Sequence, residues 1–331
     1  MGQGFTGRRN GVVASTRGEA RLVSEIDSVL LIAFGGPEKP GDIRPFLRIV
    51  TEGRRIPPAR IEEVAHHYEV IGGRSPLGEL TRLQAAGLRQ ALTRRDDARP
   101  VYVGMRNWHP FLAETIAEMR EQGHRRALGI ILSSFQTEAS WERYVDDVAA
   151  ARKKAGAGAP EVVFTAPWAE HPLFVEAMVD RAATALAEVP VARREAAHLV
   201  FTAHSVPVAM AAGSPYATQL ESVAGRIACR LAHRRWSVAY QSRSGSPSEP
   251  WLEPDIGNAL RALARDGIRD VVVSPIGFVC DHVEVLYDLD VEARQLAETL
   301  GLSFHRAAAA NDHPRFIEML ADLARVRPAR P

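Results

Sequence analysis

Three carboxylates, Glu284, Asp288 and Glu292, recur at intervals of four within residues 271–293, VVVSPIGFVCDHVEVLYDLDVEA. An apolar, strand-like run and a Pro/Gly turn precede them, so the acidic stretch reads as a helix with all three acids along one side. Like charges stacked in this way cost stability, which makes the row better explained as a track for a cation than as a folding device. Oxygen ligands of this kind suit a hard or borderline divalent metal. The ordinary alternative is a solvated acidic face. A second residue weighs on the choice. In HLVFTAHSVP, His204 falls just past the end of an apolar run, where open α/β sheets display reactive side chains. Imidazole, with an unperturbed pKa of about 6.5, accepts protons near neutrality and also ligates metals, although a lone histidine is usually structural.

The elements that must carry these residues follow from the pattern of the chain. Short apolar runs at 29–34, 101–104, 128–133, 161–166, 198–203, 237–240, 270–275 and 302–307 alternate with longer stretches of helical period such as GELTRLQAAGLRQAL and FVEAMVDRAATALAEV. Repeated strand–helix units call for parallel sheets covered by helices on both faces. The runs fall four and four, so an α/β chain is expected, with two similar doubly wound domains, each a four-stranded parallel sheet flanked by helices. The small-residue stretch KKAGAGAPE (153–161) marks a boundary. This gives a first domain over 26–160 and a second over 161–325, with a terminal helix at 312–326 that packs back on the first domain. A cleft between the two would gather the carboxyl ends of both sets of strands. His204 and the acidic helix belong to the second domain and face that cleft.

Composition removes several functions. The 331 residues are 46% hydrophobic and 24% charged, an ordinary globular balance, and no run approaches the ~18 apolar residues of a membrane span. The Arg-containing N-terminus lacks the apolar core of a secretory signal, so a cytoplasmic location is expected. A net charge of +1 provides no global field to recruit nucleic acid or anionic lipid. Two cysteines, Cys229 and Cys280, form no CxxC pair and are too few for the usual four-thiolate Fe–S cluster. The polar, Gly/Arg-rich residues 1–25 read as a flexible extension. Gly2 and Thr6 formally match an N-myristoylation pattern short enough to recur by chance. The turn AFGGPEKPGD lacks GxGxxG, and no GxxxxGK[ST], GxSxG or HExxH is present.

Six blocks in order, FGGPEKPGDIRPFL, HHYEVIGGRSPL, VGMRNWHPFL, FTAHSVP, SVAYQSRSGSPSEPWLEPDI and PIGFVCDHVEVLYDLDVEA, resemble the ferrochelatases, which insert ferrous iron into a porphyrin in haem synthesis. The resemblance extends over most of residues 29–293 and implies two Rossmann-like, chelatase-type domains around a cleft. It matches His204 and Glu284 to the family's paired metal-site residues, on opposite faces of the bound macrocycle. His204 then serves as proton acceptor or transient iron ligand. Glu284, Asp288 and Glu292 handle the ion, and the division of roles between imidazole and carboxylate stays open. Tyr68 and Ser75 match positions that hold the porphyrin, where hydroxyls can bond propionates. Ferrous iron enters as substrate, and neither a prosthetic group nor an Fe–S cluster is expected. Partners reduce to porphyrin, iron and transient contacts with haem-pathway proteins.

The segment LRIVTEGRRIPPAR (47–60) resembles the cleft lip, yet it carries Arg48, Arg54, Arg55 and Arg60 in place of apolar anchors. A greasy lip would suit protoporphyrin taken from lipid, whereas a soluble tetra-propionate porphyrin needs cations. This favours coproporphyrin III, with Arg54 as its contact, and the blocks look most like bacterial coproporphyrin ferrochelatases. Protoporphyrin IX insertion, a non-catalytic tetrapyrrole carrier on the same scaffold, and a sirohydrochlorin chelatase are the alternatives. Some residues depart from the family pattern. Phe34, which the resemblance also places against the substrate, stands where some relatives carry an iron-ligating tyrosine. Residues 133–144 lack a histidine found near the metal path, Trp168-Ala169 replaces a tyrosine near the substrate, and Thr51 and Glu52 replace basic residues.

Overall fold

The computed structural model describes residues 26–53, 56–244 and 249–325; the N-terminal extension, Arg54 and Arg55 lie outside the described residues. Each apolar run forms a strand: β1 Ser28–Ala33, β2 Val101–Met105, β3 Arg126–Ile131, β4 Glu161–Phe164, β5 His198–His204, β6 Trp236–Gln241, β7 Asp270–Ser274 and β8 Ser303–Arg306. They make two parallel sheets, ordered β2-β1-β3-β4 and β6-β5-β7-β8. In each, the order reverses beside the first strand, which creates a switch point next to β1 and another next to β5.

Parallel strands bury both faces, and the side chains of β1 divide accordingly. Leu30 and Ile32 pack with Ile116 and Met119 of α4 (Leu112–Glu121) and Tyr144 and Val148 of α5 (Arg143–Ala155), following α1 (Ile43–Thr51), α2 (Pro58–Val70) and α3 (Leu77–Thr93) in the chain. Val29 and Leu31 face the opposite way, into a core that continues to the second sheet through Leu199, Phe201 and Ala203. Between the sheets lie α3, α6 (Pro172–Glu188), α8 (Tyr216–Arg230, after the short α7, Val208–Ala212) and α12 (Pro314–Arg325). The outer face of the second sheet is covered by α9 (Ile256–Arg265), α10 (Val283–Leu286) and α11 (Arg294–Thr299). The two lobes therefore share one continuous apolar layer. The terminal helix α12 packs on both α3 and α6, and Arg95 at the end of α3 pairs with Glu318 and Asp322 of α12.

The domain boundary needs correction. β4 hydrogen-bonds to β3, from Arg126↔Glu161 to Gly129↔Phe164, so a division before residue 161 would cut a strand from its own sheet. The small-residue stretch is the tight connection from α5 to β4, and the first lobe ends beyond Phe164, ahead of α6.

Two features of the fold shape the cleft. Helices α1 and α2 form a lip with its own small core of Ile43, Phe46, Leu47, Ala65 and Tyr68, which reaches the second lobe at Val283. The loop leaving β7 lies directly on β5: Gly277 N donates to the Thr202 carbonyl at 2.9 Å, and a Cβ on Gly277 would sit 2.5 Å from Ala203 Cα. Only glycine permits that approach, which sets the path from β7 to α10 next to His204. Replacing Gly277 with Ala should push this loop off β5 and destabilise the protein by about 1–3 kcal/mol. Denaturant unfolding checks this, and parental stability in the variant would contradict it.

Candidate active site

His204 is the last residue of β5, in register with Gln241 at the end of β6, and so stands at the switch point of the second sheet. Its Nδ1 lies 2.5 Å from the Ser205 carbonyl. A carbonyl oxygen only accepts, so Nδ1 carries a proton and Nε2 is left facing the cleft. Glu284 Oε1 is 3.5 Å from that Nε2. Two bonds place the carboxylate there: the Glu284 amide donates to His282 Nδ1 at 3.1 Å, capping α10, and Gln241 Nε2 donates to the Glu284 carbonyl at 2.6 Å. One glutamine thus joins the strand next to the imidazole to the helix bearing the carboxylate.

Burial opposes charge on both groups, and their attraction outweighs it. Desolvation pulls the His204 imidazole down, but the Glu284 carboxylate, the Ser205 carbonyl and Asp288 leave it above its ordinary pKa. Desolvation raises Glu284, yet His204, with a smaller share from His282, holds it well below the usual carboxylate range. The two opposed shifts favour an imidazolium–carboxylate pair. Burial keeps His282 below its ordinary pKa and hence neutral, the state its capping Nδ1 requires.

This contact corrects one expectation. A porphyrin plane between two side chains would need about 3.5 Å of van der Waals clearance on each side. At 3.5 Å apart, the His204 and Glu284 atoms leave no such gap, so the arrangement described does not present them to opposite faces of a macrocycle.

The carboxylate row is present, but its helix is not uniform. It runs as α10, a π-helical turn over Asp288–Ala293, and α11; the Glu292 amide bonds the Tyr287 carbonyl at 3.0 Å, five residues back. In an α-helix, four residues over-rotate a full turn by about 40°. The wider π turn reverses that drift between Asp288 and Glu292, which keeps the acids on one line. All three line the cleft, and Asp288 and Glu292 also line a second cavity of about 380 Å³. Asp288 accepts a hydrogen bond from Ser242 Oγ. Burial pushes its carboxyl up to about 7; Ser242 opposes the shift, while Glu284 and Glu292 add to it. Burial also raises Glu292. Among the described residues, no three His, Cys, Asp or Glu side chains converge closely enough to cage a metal ion, so the acids are strung out as a path.

The cleft measures about 820 Å³, within the range of small-molecule sites. Phe34, Tyr68 and Ser75 all line it. Phe34, directly after β1, is 38% exposed, with its ring edge toward Phe46. Tyr68 packs by its ring against Phe46, and the Ser75 hydroxyl accepts from the Leu77 amide at 3.3 Å, capping the start of α3. The fourth expected contact, Arg54, lies outside the described residues. Trp168 is away from the cleft: it is buried, donates to the Ile131 carbonyl at 3.0 Å and packs against Phe174 and Phe316.

Sequence reading named Arg60 in the lip but missed Gln241, Ser242 and the cleft arginines Arg106 and Arg143. Gln241 and Ser242 follow the apolar run SVAY as His204 follows its own, so the strand-end rule would have found them. Arg60, Arg106 and Arg143 each line the cleft paired with one acid, Glu63, Asp147 and Glu138 respectively. Across the mouth, His67 of α2 stacks on Tyr287 at 3.7 Å, joining the lip to the acidic helix.

Comparison with known proteins gives a consistent picture. The ferrochelatase family model matches residues 27–327. A protein of Mycolicibacterium paratuberculosis named coproporphyrin III ferrochelatase is 45% identical over 302 residues, covering 90% of this chain and 87% of that one. A Frankia alni protein of the same name is 46% identical over 310 residues, covering 90% and 79%. Among solved structures, SirB from Bacillus subtilis with Fe3+ superposes with a TM-score of 0.57 at 11% identity, covering 91% of this chain and 94% of that one. CbiX, a siroheme-biosynthesis enzyme of denitrifying bacteria, gives 0.53 at 14%, covering 89% and 97%. These two likenesses speak for the fold.

Replacing Glu284 with Gln should lower the His204 pKa, because the carboxylate that raises it is gone while burial remains. NMR titration of the imidazole reads the shift, and an unmoved value would contradict the pairing.

Proposed function

The chain belongs to the ferrochelatase family, and from that premise we propose that it inserts ferrous iron into coproporphyrin III, releasing two protons, in the cytoplasm. The observation that carries the reading is the His204–Glu284 pair, open to a cleft whose walls present arginines. Two ligands each about 2.0–2.2 Å from one divalent ion lie roughly 2.8–3.6 Å apart at ordinary bond angles. The pair is therefore spaced to hold one guest between nitrogen and oxygen, either a proton or an iron ion.

The chemistry exchanges those guests. Ferrous iron travels along Glu292 and Asp288, whose carboxylates replace part of its water shell without enclosing it, and reaches Glu284. Iron arriving at Glu284 offsets the carboxylate that holds the His204 proton, which leaves along the row to solvent; the imidazole, its Nδ1–H fixed on the Ser205 carbonyl, then takes a pyrrole proton at Nε2 as the ring nitrogens turn to the metal. The second proton leaves through the carboxylate row, where Asp288 titrates near neutrality. Working from one side, the pair presses on the ring centre while the walls hold its rim, which favours a buckled macrocycle with exposed lone pairs.

Four propionates make coproporphyrin III highly anionic. Arg60, Arg106 and Arg143 offer cationic contacts at the rim, each able to exchange its present carboxylate for one from the substrate. Arg54 is a further proposed contact, and the Tyr68 and Ser75 hydroxyls support the same edge. Among the described residues no helix is long and apolar enough to cross a membrane, which accords with a substrate taken from water.

Anaerobic assays with Fe2+ should give many turnovers of coproporphyrin III. They should show a kcat/KM at least about tenfold above that for protoporphyrin IX, the worth of one charge-assisted hydrogen bond. His204→Ala and Glu284→Ala should each lower kcat by about 100-fold or more while the fold persists by circular dichroism. A single stoichiometric binding event without turnover, or full activity in either variant, would defeat the assignment.

A further inference from the structure

One arginine outside the cleft holds both ends of the acidic segment. Arg306, at the end of β8, donates from Nη1 to Asp281 Oδ1 at 2.8 Å and from Nε to Asp290 Oδ1 at 2.7 Å. Asp281 directly precedes His282, the residue that caps α10 and sets the Glu284 amide. Asp290 lies in the π turn, two residues from both Asp288 and Glu292. We infer that Arg306 is a positioning residue for iron transfer, a two-point clamp that fixes the carboxylate row from behind; this rests on the function proposed above.

Three observations carry it. First, the guanidinium is itself immobilised: Arg306 is in register with Val273 of β7, and its side chain is only 14% exposed. Second, its partners are held elsewhere. Asp281 also accepts from Asn311 Nδ2 at 2.7 Å and from the Ala309 amide at 3.2 Å, and Asp290 lies 3.6 Å from Arg294 Nη2. Third, the direction of the contact leaves the row available. Two residues correspond to about half a turn of helix, so Asp290 points away from the face that carries Asp288 and Glu292. The ion pairs of Arg306 are with Asp281 and Asp290, so it anchors the segment without occupying a carboxylate of the track. Three acids in line repel one another, and a π turn is an uncommon conformation. A fixed cation on the back face opposes both tendencies.

The test compares Asp290→Asn, Arg306→Lys and Arg306→Gln with the parent protein. It measures KM separately for Fe2+ and for coproporphyrin III, and amide hydrogen exchange across Asp288–Ala293. Asp290→Asn removes one bridge with little change of shape. It should raise the iron KM about tenfold, as loss of an outer-shell partner does at metal sites, leave the porphyrin KM within about twofold, and quicken exchange in the π turn. Arg306→Gln should do more. Arg306→Lys, whose ammonium lacks the fork to meet both acids, should fall between the parent and Arg306→Gln. If Arg306→Gln does not fold, Asp290→Asn decides. An iron KM within about twofold of the parent, or both KM values rising together, would overturn the clamp. Should the parent insert no iron, the proposed function fails. The positioning role, which rests on that function, is then overturned with it, and quickened exchange in Asp290→Asn would show only that the bridge stiffens the π turn.

Discussion

The contact between the His204 imidazole and the Glu284 carboxylate depends on a backbone approach that only glycine allows. Gly277 rests on Ala203, one residue before His204, and brings the chain from β7 into α10 within reach of β5. Gln241 fastens the result by bonding the Glu284 carbonyl from β6. Nitrogen and oxygen thus meet at the distance of two groups that share a single guest. Burial makes the guest necessary: each charge is unfavourable alone and stable when opposed.

The same electrostatics extend along the helix. Glu284 is compensated by His204, Asp288 is partly neutral near pH 7, and Glu292 lies toward the lip. Acidity therefore changes stepwise along the row. In the proposed function an ion moving along it would meet oxygen donors held at different protonation states, and among the described residues none are gathered into a cage. Firm closed coordination would retain iron, whereas an open series of single contacts lets it pass on. The supports of this row, Arg306 on one side and the His67–Tyr287 stack beside Asp288, come from opposite lobes.

Much of this was legible in the chain. The inner strands β1, β3, β5 and β7 appear as near-continuous apolar runs because a parallel strand inside a sheet buries both faces, whereas the edge strands β4 and β8 are less buried and shorter in apolar content; the placement of His204 at a strand end follows from the same rule. The four-residue spacing of the acids also survived. What escaped was set by contacts distant in sequence. The four-and-four count already put β4 in the first sheet, but the boundary after it depends on the bonds of β4 to β3, not on the glycines before it. The π turn leaves no mark on a period of four. The close approach of His204 and Glu284 needs the Gly277–Ala203 contact, which joins residues more than seventy apart. Tyr68, Ser75 and Phe34 were placed at the cleft by family resemblance; nothing in their spacing pointed there.

A crystal structure of the protein with metal-free coproporphyrin III tests the central claim most directly. The account predicts the macrocycle in the interlobe cleft, with His204 Nε2 and the Glu284 carboxylate together over one face of its centre. A ring plane lying between the two side chains, or a porphyrin seated outside the cleft, would contradict it.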